Sequence, residues 1–171
     1  MQPWIGQSLG ILVVARTLAL NPVAAPAATQ GSAPTACSVI DAEQLKRLTS
    51  RKDVLKRGPS QSEPDVPAPG KTTCSFLGFI FELNAPAKRE WFDDTRTFLT
   101  KSGTKTQPVP GVGDAAFYWW DPKPGDTRPV GIVLRVGTSG LMIMDMTSSD
   151  SIELVKPELL VAARMVVPKL R

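Results

Sequence analysis

Val130-Gly131-Ile132-Val133-Leu134-Arg135-Val136, Gly137-Thr138-Ser139-Gly140, Leu141-Met142-Ile143-Met144-Asp145-Met146: two apolar runs of strand length, joined by four residues with glycine at both ends. Short runs rich in β-branched side chains suit a pleated, buried surface. A short connection rich in glycine supplies the backbone angles that fold one strand back on the other. The stretch therefore predicts an antiparallel hairpin of strands 130–136 and 141–146. Met142, Met144 and Met146 alternate on one face of the second strand, where an unbranched thioether fills irregular gaps.

Upstream, Ala115-Ala116-Phe117-Tyr118-Trp119-Trp120 reads as a third strand, entered through the turn Val109-Pro110-Gly111-Val112-Gly113-Asp114. Gly111, Gly113 and Asp114 are its structural turn residues. Three prolines and a glycine make 121–129 a loop. Farther back, Cys74 to Leu83 reads as a strand region, with Phe79, Phe81 and Leu83 on one face and Ile80 and Glu82 on the other.

Three helices are expected around these strands. Asp41 with Gln44 three residues on forms a capping box, and Ile40 staples onto Leu45 across it. Lys46, Arg47, Arg51, Lys52, Lys56 and Arg57 make this helix basic, and Gly58-Pro59 ends it. Residues 60–71 follow as an exposed loop. Asn84 is the expected cap of the second helix, with Pro86 in its first turn. Trp91, Phe92, Thr95, Phe98 and Leu99 recur at helical spacing as its core stripe, while Lys88, Arg89, Asp93, Asp94, Arg96 and Lys101 face water, and Gly103 ends it. The third helix is expected to start at Pro157, bury Leu159, Leu160, Ala163, Val166 and Val167, and stop at Pro168.

The ends of the chain bear on compartment. Residues 5–15 are a short apolar stretch, Arg16 interrupts it, and Ala25-Pro26-Ala27-Ala28 offers the small-x-small pattern of a signal-peptidase site. No Lys or Arg precedes the stretch. An uncleaved anchor is disfavoured, since a span needs about 20 predominantly apolar residues and Gln7, Arg16 and Asn21 break this one. The expected organisation is a signal peptide over 1–27, a tether over 28–36 and a single α+β domain over 37–171. Cleavage removes one charged side chain, Arg16, so the net charge of +4 falls only slightly. That is too weak a field for a nucleic-acid binder. An even pair of cysteines in an oxidising compartment is a disulfide, Cys37 to Cys74. In the loop-entropy account it stabilises the fold by roughly 4 kcal/mol.

The chain contains no histidine, which excludes Ser-His-Asp and Cys-His nucleophile pairs and the common zinc sites. Bonded cysteines are not nucleophiles. Gly111-Val112-Gly113 lacks the third glycine of a dinucleotide fingerprint and precedes a strand. No catalytic, metal or cofactor-binding residue is assigned, and no enzyme activity is expected.

Ala36-Cys37-Ser38-Val39-Ile40-Asp41-Ala42-Glu43, a second cysteine opening a strand, Pro110-Gly111-Val112-Gly113-Asp114-Ala115-Ala116, a glycine-ended hairpin and an Ala-rich last helix follow in that order. The pattern resembles a group of small exported bacterial proteins of unknown function, many of them actinobacterial lipoproteins, over roughly residues 36–170. The resemblance implies an α+β domain with helices on one face of an antiparallel sheet and an extracytoplasmic location. It transfers no catalytic residue. Ala33-Pro34-Thr35-Ala36 before Cys37 is no lipobox.

If all three helices cover one sheet face, the other lies open. The candidate binding surface is then drawn from Tyr118, Trp119, Trp120, Met142 and Met144, with Trp119 opposite its strand neighbours and either member of each alternating pair on the open face, since an exposed apolar patch marks an interaction site. Three readings follow: a secreted or periplasmic binding or sensing domain for a small ligand, an interaction or inhibitor module docking on an envelope protein, or an envelope-surface binder acting through the basic helix. No cofactor, nucleic-acid partner or transmembrane span of the mature chain is expected.

Overall fold

A computed structural model describes residues 33–49, 60–62, 69–122, 129–146 and 152–171, with the backbone alone for 60–62. The expected signal peptide, the tether up to residue 32, Arg51, Lys52, Lys56 and Arg57, the stop at Gly58-Pro59 and most of 121–129 lie outside the described residues.

Seven strands form: β1 (Ser60–Ser62), β2 (Lys71–Phe76), β3 (Phe79–Asn84), β4 (Lys105–Pro108), β5 (Ala115–Trp120), β6 (Val130–Val136) and β7 (Ser139–Asp145). They form one sheet in the order β1-β2-β3-β7-β6-β5-β4, every neighbouring pair antiparallel. The opening hairpin is present, with a tighter turn than expected. Ser139 pairs with Val136, leaving only Gly137 and Thr138 between the strands. Gly137 has φ +56°, the first-position angle of a two-residue hairpin turn.

The single strand region expected over 74–83 is instead two strands. Leu77 and Gly78 both take positive φ and fold β3 back onto β2, so that Cys74 pairs with Phe81. Leucine is a poor residue for that angle, and its burial holds it there. The short strands β1 and β4 were not foreseen; their polar residues carry no apolar alternation.

Three helices complete the domain: α1 (Ala42–Leu48), α2 (Trp91–Lys101) and α3 (Ile152–Val166), the last running into a 3-10 turn over Val167–Lys169. At α1 the Asp41 side chain accepts from the Gln44 N–H at 2.9 Å, the N-cap half of the expected capping box. Asn84 does not cap α2. It ends β3, and Glu90 stands at the helix start. Hydrogen bonds from the Ala85 N–H to the Gly70 carbonyl (2.8 Å) and from Ala87 to Thr138 (2.7 Å) commit the intervening backbone elsewhere. Helix α3 starts a turn before Pro157, which sits inside it. Proline removes one backbone donor there, while burial of Val155 in the preceding turn anchors that start.

The fold is α+β with an antiparallel sheet and one disulfide, Cys37–Cys74, which ties the segment before α1 to β2. The helices divide between the faces. On one face α1 and α3 cover Phe79, Phe81, Leu83, Ile132, Leu134, Leu141 and Ile143, all fully buried. The expectation of helices on one face holds for these two, and α2 departs from it. After β3, in mid-sheet, the chain must reach the far edge to lay down β4, and α2 makes that crossing over the second face. There it packs Phe92 and Leu99 on Phe117, Trp119 and Val133. Sequence periodicity supplies an apolar stripe without naming the face it will cover.

Candidate functional site

The second face is built in rows. One runs Trp119–Gly131–Met144–Ile80 across β5, β6, β7 and β3, and the next runs Phe117–Val133–Met142–Glu82. In the first, the indole of Trp119 lies against Gly131: a Cβ there would meet Trp119 Nε1 at 2.6 Å and the Ile143 carbonyl oxygen at 2.5 Å. The third row reads Ala115–Arg135–Gly140–Asn84, and here Trp91 from α2 lies against Gly140. Each bare glycine gives a tryptophan a flat seat, so α2 comes down close to the sheet.

The third row leaves Arg135 between two small residues, alanine and glycine. Its guanidinium carbon stands 5.9 Å from the centre of the Phe92 ring, and Phe92 in turn meets Phe117 edge-on at 5.1 Å. Arg96 caps the other side of the stack, 5.9 Å from the Phe117 ring centre.

Beside this stack opens a cleft of about 510 Å³ walled by Ala87–Arg89, Trp91, Phe92, Asp114, Arg135 and Gly137–Thr138. A second groove, about 440 Å³, adjoins it along Phe92 and Asp114 and runs beneath the 108–114 turn. Three chain segments meet here and are tied together. The Ala87 N–H donates to the Thr138 carbonyl (2.7 Å), the Asp114 N–H to the Arg135 carbonyl (2.8 Å), and the Gly137 N–H to Asp114 Oδ2 (2.7 Å). Gly113 has φ +60°, and a Cβ on it would meet the Arg135 carbonyl oxygen at 2.5 Å, so only glycine lets this turn approach β6 so closely.

The cleft walls carry Lys88, Arg89 and Arg135 against one carboxylate, Asp114, which the Gly137 N–H already engages. The ion pairs among the described residues are Glu43–Lys46, Lys71–Glu82 and Glu153–Lys156, and none involves the three cleft cations.

The five candidate surface residues divide between the two faces, as alternation along β5 requires. Tyr118 and Trp120 point to the α3 face. The Tyr118 hydroxyl donates to the Lys156 carbonyl at 3.2 Å, and Lys156 Nζ lies 5.2 Å from the Trp120 ring centre. Burial pushes the Tyr118 phenol above its ordinary range; Glu153 adds to this and Arg164 opposes it. Trp119, 6% exposed, lies on the α2 face. Met142 and Met144 share that face, half-buried at the margin of the α2 cluster. The cleft residues Lys88 and Arg89 read in the sequence only as a solvated helix face. Arg135, a charge inside an apolar strand, was the available signal.

No family model, no curated protein and no solved structure matches the chain.

Proposed function

We propose that the protein is an exported, non-catalytic binding or sensing domain that holds a small ligand in the cleft between α2, the β6–β7 turn and the 109–114 turn. One observation carries this reading: three segments distant in sequence are cross-tied around a walled space, so the site is formed before any ligand arrives. Binding then orders little additional backbone, which favours affinity. Export is supported by the disulfide, which persists in oxidising compartments, and by the small-residue motif behind the N-terminal apolar run. Among the described residues no helix is long and apolar enough to cross a membrane. A binding role is supported by the chemistry of the cleft, where three cations face one carboxylate among the described residues, itself held by a backbone N–H.

A fragment screen read by amide chemical shifts tests this. Shifts concentrated at Ala87–Phe92, Asp114 and Arg135–Thr138 support the site. Binding fragments that shift only residues around Met142 and Met144 refute it. A second reading, docking on another exported protein, is favoured by Phe98, which stands 71% exposed on α2. It predicts that Phe98→Ser abolishes association with such a partner while fragment binding in the cleft persists.

A further inference from the structure

We infer that the cleft selects anions, and that its ligand is a small aromatic oxyanion, an organic phosphate or carboxylate carrying a flat apolar body; this rests on the cleft reading above. Lys88, Arg89 and Arg135 surround a space whose only acid among the described residues is already engaged by a backbone N–H. Arg135 is the pivotal group. It is half-buried in the third row of the sheet, and burying a guanidinium has a desolvation cost that pairing must offset. Its contact with the Phe92 ring offsets only part of that cost. An incoming oxyanion offers what the ring cannot, two parallel charged hydrogen bonds to one planar fork.

The apolar half of the site is equally specific. Trp91, fixed against Gly140, and Phe92, fixed against Phe117, present rigid aromatic surface beside the cations. A volume of about 510 Å³ falls in the range of small-molecule sites, about 300–1,000 Å³. The acids Glu90, Asp93 and Asp94 at the start of α2 are exposed and do not line the cleft.

The test titrates phenyl phosphate, benzoate, inorganic phosphate and benzyl alcohol into the full chain, read by calorimetry and amide shifts. Phenyl phosphate or benzoate is expected to bind more tightly than inorganic phosphate or benzyl alcohol, shifting Ala87–Phe92 and Arg135–Thr138. The stronger of the two says whether phosphate or carboxylate is the head group. Arg135→Gln is expected to weaken binding about tenfold or more, with Arg135→Lys retaining part of it. Should Arg135→Gln unfold, Lys88→Ala with Arg89→Ala carries the test, because both side chains are exposed and their loss spares the fold. Benzyl alcohol binding as well as phenyl phosphate, or indifference to these substitutions, overturns the anion inference while the cleft reading survives. Inorganic phosphate binding as tightly as phenyl phosphate overturns the aromatic half of the inference. If no probe shifts any cleft amide, the anion inference falls, and the fragment screen alone decides the cleft reading.

Discussion

Replacing Gly131 by alanine adds one methyl group to the middle of a strand, and the surroundings of β6 set its cost. In an open strand the change would be mildly favourable: alanine restricts the unfolded chain and gains roughly 0.4–1 kcal/mol where its backbone angles fit. Here the added Cβ would lie 2.5 Å from the Ile143 carbonyl oxygen and 2.6 Å from Trp119 Nε1. Overfilling a packed site costs typically about 1–3 kcal/mol. Two separate obstacles, one of them backbone, place this substitution at the upper end or beyond. Expelling Trp119 altogether would forfeit the about 3–5 kcal/mol of a buried tryptophan, which sets the ceiling. The expected net loss is about 2–4 kcal/mol, or a fall in Tm of the order of 10 °C for a domain this size. Chemical denaturation followed by tryptophan fluorescence measures it. A double-mutant cycle with Trp119→Leu then separates the obstacles: the ring's share disappears in the Leu background, and the Ile143 carbonyl's share remains. An unchanged or raised stability for Gly131→Ala, or no coupling to Trp119, would refute the seating of the indole on the glycine and with it the close approach of α2.

Other expectations are simpler. Cys37→Ser opens a bridge spanning 37 residues and should cost roughly 4 kcal/mol in the loop-entropy account, seen as a lower denaturation midpoint, while the native chain titrates no free thiol. The chain has one tyrosine, so its ultraviolet titration reports Tyr118 alone. Because burial raises the folded-state pKa, ionisation should begin above the unfolded value of about 10. The stability that this shift contributes is fully present below pH 10 and is lost as pH rises through the folded pKa. A native titration that overlays the denatured one would contradict its burial beneath α3. Phe98→Ser, on an exposed position, should change stability by no more than about 0.5 kcal/mol, in contrast to Trp119→Ala; equal losses for both would reverse the assignment of faces.

The sequence by itself determined the elements whose signals are local. The hairpin of β6 and β7, strand β5, the N-cap at Asp41 and the disulfide partners follow from alternation, side-chain reach and cysteine count. These features depend on neighbours within a few residues, or on there being a single possible pairing. The break at Leu77-Gly78 was hidden because a leucine in a left-handed turn is tolerated only through burial, which no local pattern records. The early start of α3 was hidden for a related reason, since burial of Val155 lies in the packing and Pro157 dominates the local signal.

The tertiary structure alone decided which face each helix covers. An amphipathic stripe fixes only that a helix is buried on one side; the route of the chain from mid-sheet to far edge carried α2 to the second face. Alternation along β5 already set Tyr118 and Trp120 opposite Trp119; the placement of α2 decided what covers each side, and it created the cleft. Lys88, Arg89, Arg135, Asp114 and Thr138 come from three separate segments. Their convergence depends on two glycines that accept tryptophan rings and one that lets a turn touch a strand, spatial facts that linear spacing does not encode.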